Sequence, residues 1–274
     1  MSNKSLFAPK LALAASLLIG SASLSHAQSA YGVDGDGQLF SVDLAKPEAV
    51  TPVAKLNFKP VGIDFLPGSK TLYALGVDDS KAQLYTIDTQ SGAATAVGAG
   101  FPLKGEKYDL TGAKAYGFDF NPTTLQADGS IRIRLTASNG TNLRLHSVTG
   151  GVAATDGAIK GSIGAVAYTN SANAITPKDG KTELFDIDTD ENTLSLQNPP
   201  NDGVLVPVGS LGVKVGHDAA FDIHTSAAGV NTAYLVNPTG KKSSDLYIVD
   251  LKTGAAQKAG KIKAGFKGGF AIVP

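Results

Sequence analysis

Three aspartates recur at one place in a repeated four-residue pattern. Gly62-Ile63-Asp64-Phe65, Gly117-Phe118-Asp119-Phe120 and Ala220-Phe221-Asp222-Ile223 carry a carboxylate at the third position, whereas Ala165-Val166-Ala167-Tyr168 and Gly269-Phe270-Ala271-Ile272 carry alanine there. Brought to a common mouth, Asp64, Asp119 and Asp222 would offer the oxygen ligands that hard cations choose, calcium first among them. The competing reading is structural: buried carboxylates take hydrogen bonds from backbone amides or from a neighbouring unit. A position that recurs from repeat to repeat belongs to the scaffold, so the structural reading is preferred and no resident metal or cofactor is expected.

The chain's three arginines, Arg132, Arg134 and Arg144, fall in one short stretch, and every other basic residue apart from histidine is lysine. Guanidinium is weakly hydrated and fork-shaped, which suits buried bidentate pairing with carboxylates; the repeated aspartates are the expected partners. Arg132 and Arg134 as a clamp for an anionic ligand is the alternative. If Asn139-Gly140 is a two-residue hairpin turn, Arg134 faces Leu145 and Arg144 faces Leu135. Arg132 and Arg134 then share one face of the sheet, with Arg144 on the other.

His217, beside Asp218 in a Gly-containing stretch before one of the repeats, is the histidine best placed to join the aspartates. Its bland reading is a solvated loop residue. Asp186-x-Asp188-x-Asp190 matches a calcium loop weakly, because Glu191 and Gln197 stand where such a loop needs Gly and Glu. Asp34-Gly-Asp36-Gly37 reads as a turn. Asn198-Pro-Pro-Asn-Asp-Gly203 reads as a rigid, proline-fixed turn whose exposed amides could line a mouth. No His-Glu-x-x-His, Gly-x-Ser-x-Gly, Walker or dinucleotide-binding fingerprint occurs, and no catalytic residue is assigned.

Something must position these residues, and self-similarity indicates what. In each four-residue repeat the first and third positions are small or acidic and the second and fourth are large and apolar. Side chains alternate along a strand, so one face is crowded and the other slim, as a strand close to its equivalents around an axis requires. A second pattern interleaves with the first: Leu39-Phe-Ser-Val-Asp43, Leu84-Tyr-Thr-Ile-Asp88, Leu184-Phe-Asp-Ile-Asp188 and Leu246-Tyr-Ile-Val-Asp250. Strands over 61–66, 71–77, 83–89 and 93–98 make a four-stranded meander. A period of roughly 50 residues suits one propeller blade with its loops. The fold class is therefore all-β, a five-bladed propeller of four-stranded antiparallel blades. Three strands near 30–34, 38–44 and 50–56 precede the first repeat, and the lone repeat at the end completes their blade, leaving no open edge. A sixth blade could hide only in the span 121–164.

Residues 1–27 differ from the rest. Lys4 and Lys10 precede an apolar run from Leu11 to Ile19, and Ser25-His26-Ala27 places small residues at −3 and −1. That is the pattern of a cleaved secretory signal, with an apolar run too short to span a bilayer. The expected product, residues 28–274, is one propeller domain in the periplasm or outside the cell. Processing takes two lysines and leaves a nearly balanced charge, which offers no broad attraction to nucleic acid or anionic lipid. Cysteine is absent, which excludes disulfides and thiolate metal sites.

Gly117-Phe-Asp-Phe-Asn-Pro122, Thr141-Asn-Leu-Arg-Leu145, Ala165-Val-Ala-Tyr-Thr-Asn170, Leu184-Phe-Asp-Ile-Asp188, Gln197-Asn-Pro-Pro-Asn-Asp-Gly203 and Val206-Pro-Val-Gly-Ser-Leu-Gly212 resemble, in this order, a bacterial exported family known as domain of unknown function family 4394. The resemblance spans about 30 to 273 and implies a propeller and an exported location; it carries no activity. The functional expectation is a non-catalytic binding or scaffolding module for a small molecule, glycan or envelope protein, with no membrane span after processing. The alternative is a hydrolase or lyase acting on a sugar or lactone at the propeller mouth. Convergence of Asp64, Asp119, Asp222 and His217 on an open pocket would favour chemistry, and their burial against arginine or backbone would favour the module.

Overall fold

The structure, a computed structural model, describes residues 28–171 and 181–274; the expected signal segment lies outside them. Five antiparallel sheets of four strands form the blades. Blade 1 holds β1 (Ser29–Asp34), β2 (Gln38–Asp43) and β3 (Val50–Lys55) from the start of the domain. Blade 2 holds β4 (Pro60–Phe65), β5 (Leu72–Val77), β6 (Lys81–Ile87) and β7 (Ala94–Pro102). Blade 3 holds β8 (Tyr116–Phe120), β9 (Arg132–Ala137), β10 (Asn142–His146) and β11 (Val152–Thr155). Blade 4 holds β12 (Ile163–Tyr168), β13 (Leu184–Asp188), β14 (Thr193–Gln197) and β15 (Leu205–Ser210). Blade 5 holds β16 (Ala220–Thr225), β17 (Asn231–Gly240), β18 (Ser243–Val249) and β19 (Ala256–Ile262); β20 (Phe266–Ile272) returns to blade 1. The span 121–164 contains blade 3's outer strands and no extra blade.

The five repeats are the innermost strands β4, β8, β12, β16 and β20, and each packs on the next around a closed ring. Their slim face is a steric requirement. A Cβ on Gly62 would sit 2.4 Å from the Cβ of Phe118 on the neighbouring inner strand, and one on Gly269 would sit 3.0 Å from Ile63. The ring closes where β20 pairs antiparallel with β1, Gly32 opposite Phe270 and Ala30 opposite Ile272. Phe40, Phe266 and Phe270 share one apolar cluster there, with Phe40 and Phe266 rings 6.0 Å apart.

Large apolar side chains from both walls fill four of the five seams between blades: Ile63 and Phe65 against Leu39 and Ala271, Leu84 against Phe118 and Leu135, Phe185 and Ile187 against Phe221 and Leu235, and Val42 with Phe266 and Phe270 against Tyr234 and Leu246. The seam between blades 3 and 4 differs. Its buried apolar cluster is small, Ile159, Ile163, Val166, Tyr168 and Leu184, and the remaining space is polar.

Ring closure predicts that Phe270→Ala, which empties a site only 3% exposed at the β1–β20 junction, lowers stability by about 3–5 kcal/mol. Urea unfolding followed by far-UV circular dichroism would show the midpoint fall; an unchanged midpoint would contradict the shared blade.

Candidate functional site

The inner strands are the end strands of their sheets and leave five backbone amides unpaired along their free edges, and the three aspartates take all five. Asp64 Oδ1 accepts from the N–H of Phe65 at 2.7 Å and Oδ2 from Phe120 on the next blade at 2.8 Å. Asp119 Oδ1 accepts from Tyr168 at 3.1 Å. Asp222 accepts from Ile223 at 2.6 Å and from Ile272 at 2.7 Å. Each aspartate thus bonds the amide just past the equivalent position of the following blade. Where that equivalent is preceded by an alanine blade (Ala167 or Ala271), the next aspartate serves its own strand's amide as well.

One oxygen from each of the three lies within 4.8 Å of the others, and all three side chains are buried. Burial pushes each carboxyl up from 3.8, Asp222 to about 6, and Asp64 and Asp119 well above the usual range with further repulsion from their neighbours in the cluster. Asp64 and Asp222 are each held by two N–H donors, which favour the charged form; Asp119 accepts one. Asp119, with the fewest donors, is the carboxyl whose charged form is held least, and the cluster's proton is expected there. The spacing is one a cation could use, and five of the six oxygens accept backbone amide hydrogens, so the cluster ties neighbouring blades together.

His217 does not join it. Its Nδ1 bonds Thr189 Oγ1 at 2.9 Å, and Thr189 follows the end of β13, at the opposite end of the ring from Tyr168 and the small cavity edged by Asp64, Asp222 and His224. Nor do the calcium-like motifs hold a cation geometry. Asp188 caps its own turn through Asp190 and Glu191 N–H, Asp186 is buried in a strand, and Asp34 caps the turn at Asp36 and Gln38.

The arginines occupy the polar seam, in a register one residue away from the expected one. The hairpin loop is Ser138-Asn139-Gly140, with Gly140 in the left-handed region at φ 89°, so Arg134 lies opposite Arg144 and Arg132 opposite His146. All three arginines consequently share one face, and the expectation that Arg144 lies apart is corrected. Their partner is also different: Asp156, past β11, takes Arg134 Nη1 at 2.6 Å and a bidentate grip from Arg144 at 2.9 and 2.8 Å. Arg134, 2% exposed, further donates to Asn142, Tyr168 and Asn201. Burial would lower its guanidinium, but Tyr168 and Asp156 hold it above its ordinary value. Arg132 is only part-buried and donates to Ser130 Oγ at 3.0 Å.

The Asn198–Gly203 turn is the other half of this clasp. Pro200 O accepts from Asn142 Nδ2 of blade 3 and from Gln197 Nε2, and Asn201 O accepts from Gly157 N. Four buried polar atoms among the described residues find no protein partner, and all lie on the facing walls of this seam: Thr136 Oγ1, both carboxylate oxygens of Asp186 and Gln197 Oε1. Asp186 is raised well above the usual carboxylate range by burial, against the pull of Arg134.

At the Tyr168 end the seam opens into a cavity of about 800 Å³ where blades 3, 4 and 5 meet. Tyr168, Leu184 and Gln197, all buried, line it with Asn121, Asn170, Asn198 and Asn231. Sequence reasoning singled out the Asn198 turn as a mouth and met Gln197 only as a departure from a calcium loop and as part of the family resemblance; Asp156 and Asn231 were missed, because no repeat or motif marks them. Arg132, Arg134, Asp64, Asp119, Asp222 and His217 are not among the residues lining this cavity.

A closed five-bladed ring with an axial aspartate clasp defines a β-propeller. The sequence matches the family described as domain of unknown function DUF4394 over residues 38–269, and the chain belongs to that family. No curated protein sequence matches it significantly. Among solved structures it is similar to TolB from Acinetobacter baumannii (13% identity, 90% of this chain and 67% of that one, TM-score 0.48). It is also similar to a putative 6-phosphogluconolactonase from Bacteroides uniformis (15% identity, 87% and 83%, TM-score 0.40) and to a Lactobacillus plantarum protein (11% identity, 90% and 99%, TM-score 0.45).

The clasp sets a pH dependence. Because the folded carboxyls titrate above their unfolded values, the folded state holds extra protons from about pH 4 up through the folded values, about 6 for Asp222; their stabilisation is full below the unfolded value and is lost as pH rises through the folded ones. Asp119→Asn, which keeps one acceptor and needs no proton, is expected to flatten that fall and to match or exceed the parent at about pH 8. Asp64→Asn turns an NH₂ toward a backbone N–H and should cost about 1–3 kcal/mol. Urea midpoints at about pH 5 and 8 decide it: equal losses in both variants would contradict the proton assignment.

Proposed function

We propose that the chain is a non-catalytic binding module, exported to the periplasm or beyond, whose ligand site is the cavity where blades 3, 4 and 5 meet. The observation that carries this reading is an open cavity of about 800 Å³, a size typical of small-ligand sites, lined mostly by polar side chains where three blades meet. The groups that could do chemistry are engaged elsewhere. The axial aspartates serve backbone amides, Arg134 and Arg144 are paired with Asp156, and His217 is at the other end of the ring. A hydrolase or lyase acting on a sugar or lactone would need a nucleophile and base within reach of each other. Among the described lining residues the charged groups are Lys181 and Glu183 alone. The reading needs no resident metal, nucleic acid or membrane contact; a glycan, a small molecule or a segment of an envelope protein would fill the cavity.

Asn198 is exposed and lies on the cavity wall, so Asn198→Trp should plug the cavity without disturbing the core. Thermal-shift screening of residues 28–274 with sugars, nucleosides, amino acids and calcium is expected to give a stabilising organic ligand whose effect disappears in Asn198→Trp, and no calcium response. A shift that persists in the plugged variant would place the ligand elsewhere, and turnover of the ligand would replace the module with an enzyme.

A further inference from the structure

Resting on that cavity as the ligand site, we propose that Gly157 is the positioning residue of its blade 4 wall, although Gly157 is not among the residues that line it. At the rim of the ring, the turn between the third and fourth strands of each blade sits against the blade before it. The contact falls on that blade's outer strand or just past it. Pro47 meets Gly260 in β19, Gly92 meets Ala54 in β3, Gly150 meets Val97 in β7, and Gly254 meets Gly209 in β15. The fifth contact crosses the polar seam, where Gly203 of blade 4 meets Gly157 and Ala158 of blade 3. In three of the five, main chain meets main chain, an approach that glycine permits.

The blade 4 contact does more than hold two blades together. In blades 2, 3 and 5 the turn closes tightly, with Gly92, Gly150 and Gly254 each donating to the carbonyl four residues back. Blade 4 instead inserts a longer turn with a short 3₁₀ segment, Pro200–Asp202, and Asn198 and Pro200 from it line the cavity. The longer turn rests on Gly157. The Gly157 N–H donates to Asn201 O at 2.8 Å, and its carbonyl accepts from Asn142 Nδ2 at 3.0 Å. Asn142 Nδ2 also reaches Pro200 O at 3.1 Å, and Arg134 Nη2 reaches Asn201 Oδ1 at 3.0 Å. A Cβ on Gly157 would stand 2.5 Å from Asp202 O and 3.0 Å from Asp202 Cα, too close for either atom. Gly157 is not among the residues with positive φ, so space and not backbone conformation reserves the position for glycine. The preceding residue, Asp156, binds Arg134 and Arg144, so one short segment of blade 3 ties the arginines and seats the wall. Gly209 is the matched comparison. It also lacks a positive φ and has Thr253 O where a Cβ would go, but neither it nor the Asp250–Gly254 turn lines the cavity.

The chain contains no tryptophan, so Asn198→Trp puts a single indole emitter on that wall. In residues 28–274 carrying Asn198→Trp, adding Gly157→Ala is expected to shift the emission maximum to the red and to increase quenching by acrylamide. The added methyl group pushes the turn off blade 3. Adding Gly209→Ala instead is expected to change neither reading, although its own clash lowers the urea midpoint. If Gly157→Ala does not fold by far-UV circular dichroism, Asn201→Ala, which removes the acceptor of Arg134 without a clash, takes its place with the same shift expected. An indole unmoved by the seam substitution would overturn the positioning role, whether or not the thermal-shift screen yields a cavity-dependent compound. The same spectral change in Gly209→Ala would also overturn it, since any strained joint would then loosen the wall. A response confined to Gly157→Ala, with no cavity-dependent compound in the screen, would overturn the ligand reading and leave the seat of the turn standing.

Discussion

Five buried backbone amides at the axis, each needing an acceptor, are the constraint on which this molecule depends. Bringing five strands close enough to form a ring demands glycine or alanine at the first repeat position. The same closeness buries Phe65, Phe120, Tyr168, Ile223 and Ile272, so their N–H groups need acceptors from side chains. A buried amide without a partner costs on the order of 1–3 kcal/mol. Three carboxylates remove that cost for all five, and three of the five bonds cross from one blade to the next. They are hydrogen-bonded stitches at the place where apolar packing has no room. Two alanines in the ring are part of the same arrangement: Ala167 and Ala271 are followed by aspartates that turn one oxygen onward and one back. More than three aspartates would crowd further negative charge into the same buried space, where repulsion already raises the proton affinity of Asp64 and Asp119.

With closure handled at the axis, four seams are free to be apolar and one is free to be something else. The blade 3–blade 4 seam gives up aliphatic packing for Arg134, Asn142, Asp156 and Asn201, held by a charge-assisted network whose donors and acceptors are mostly matched. Breaking a buried pair of this kind by removing one partner is strongly unfavourable, so the network fixes the relative placement of the two blades. The Asn198–Gly203 turn is thereby anchored from blade 3, and its first residue, Asn198, is presented to the cavity from a rigid base.

The fold was legible because its determinant is local and repeated. A small–large–acid–large tetrad read as a strand near an axis, and the lone tetrad at Gly269 could only belong with the three strands at the start of the domain. The structural role of Asp64, Asp119 and Asp222 was legible for the same reason. The arginine partnership was not. It depends on a single residue in the Ser138–Gly140 loop, since one step of register carries every side chain to the other face, and on Asp156, which sits past the last strand of its blade in no repeat at all. The unpartnered Oε1 of Gln197 was invisible for a different reason: an unsatisfied atom is defined by what surrounds it in space, and a glutamine ending a strand has no sequence mark to separate it from a solvated one.

The location of the unsatisfied atoms is as ordered as that of the satisfied ones. Polar groups left over from imperfect packing would be scattered, yet Thr136, Asp186 and Gln197 face one another across one seam, and that seam is the one that widens into the open cavity. Elsewhere the chain satisfies its buried polar groups closely, down to five amides on three side chains at the axis. A protein that accounts so fully for its hydrogen bonds at the axis has concentrated its deficit in the one seam that trades apolar packing for polar contacts.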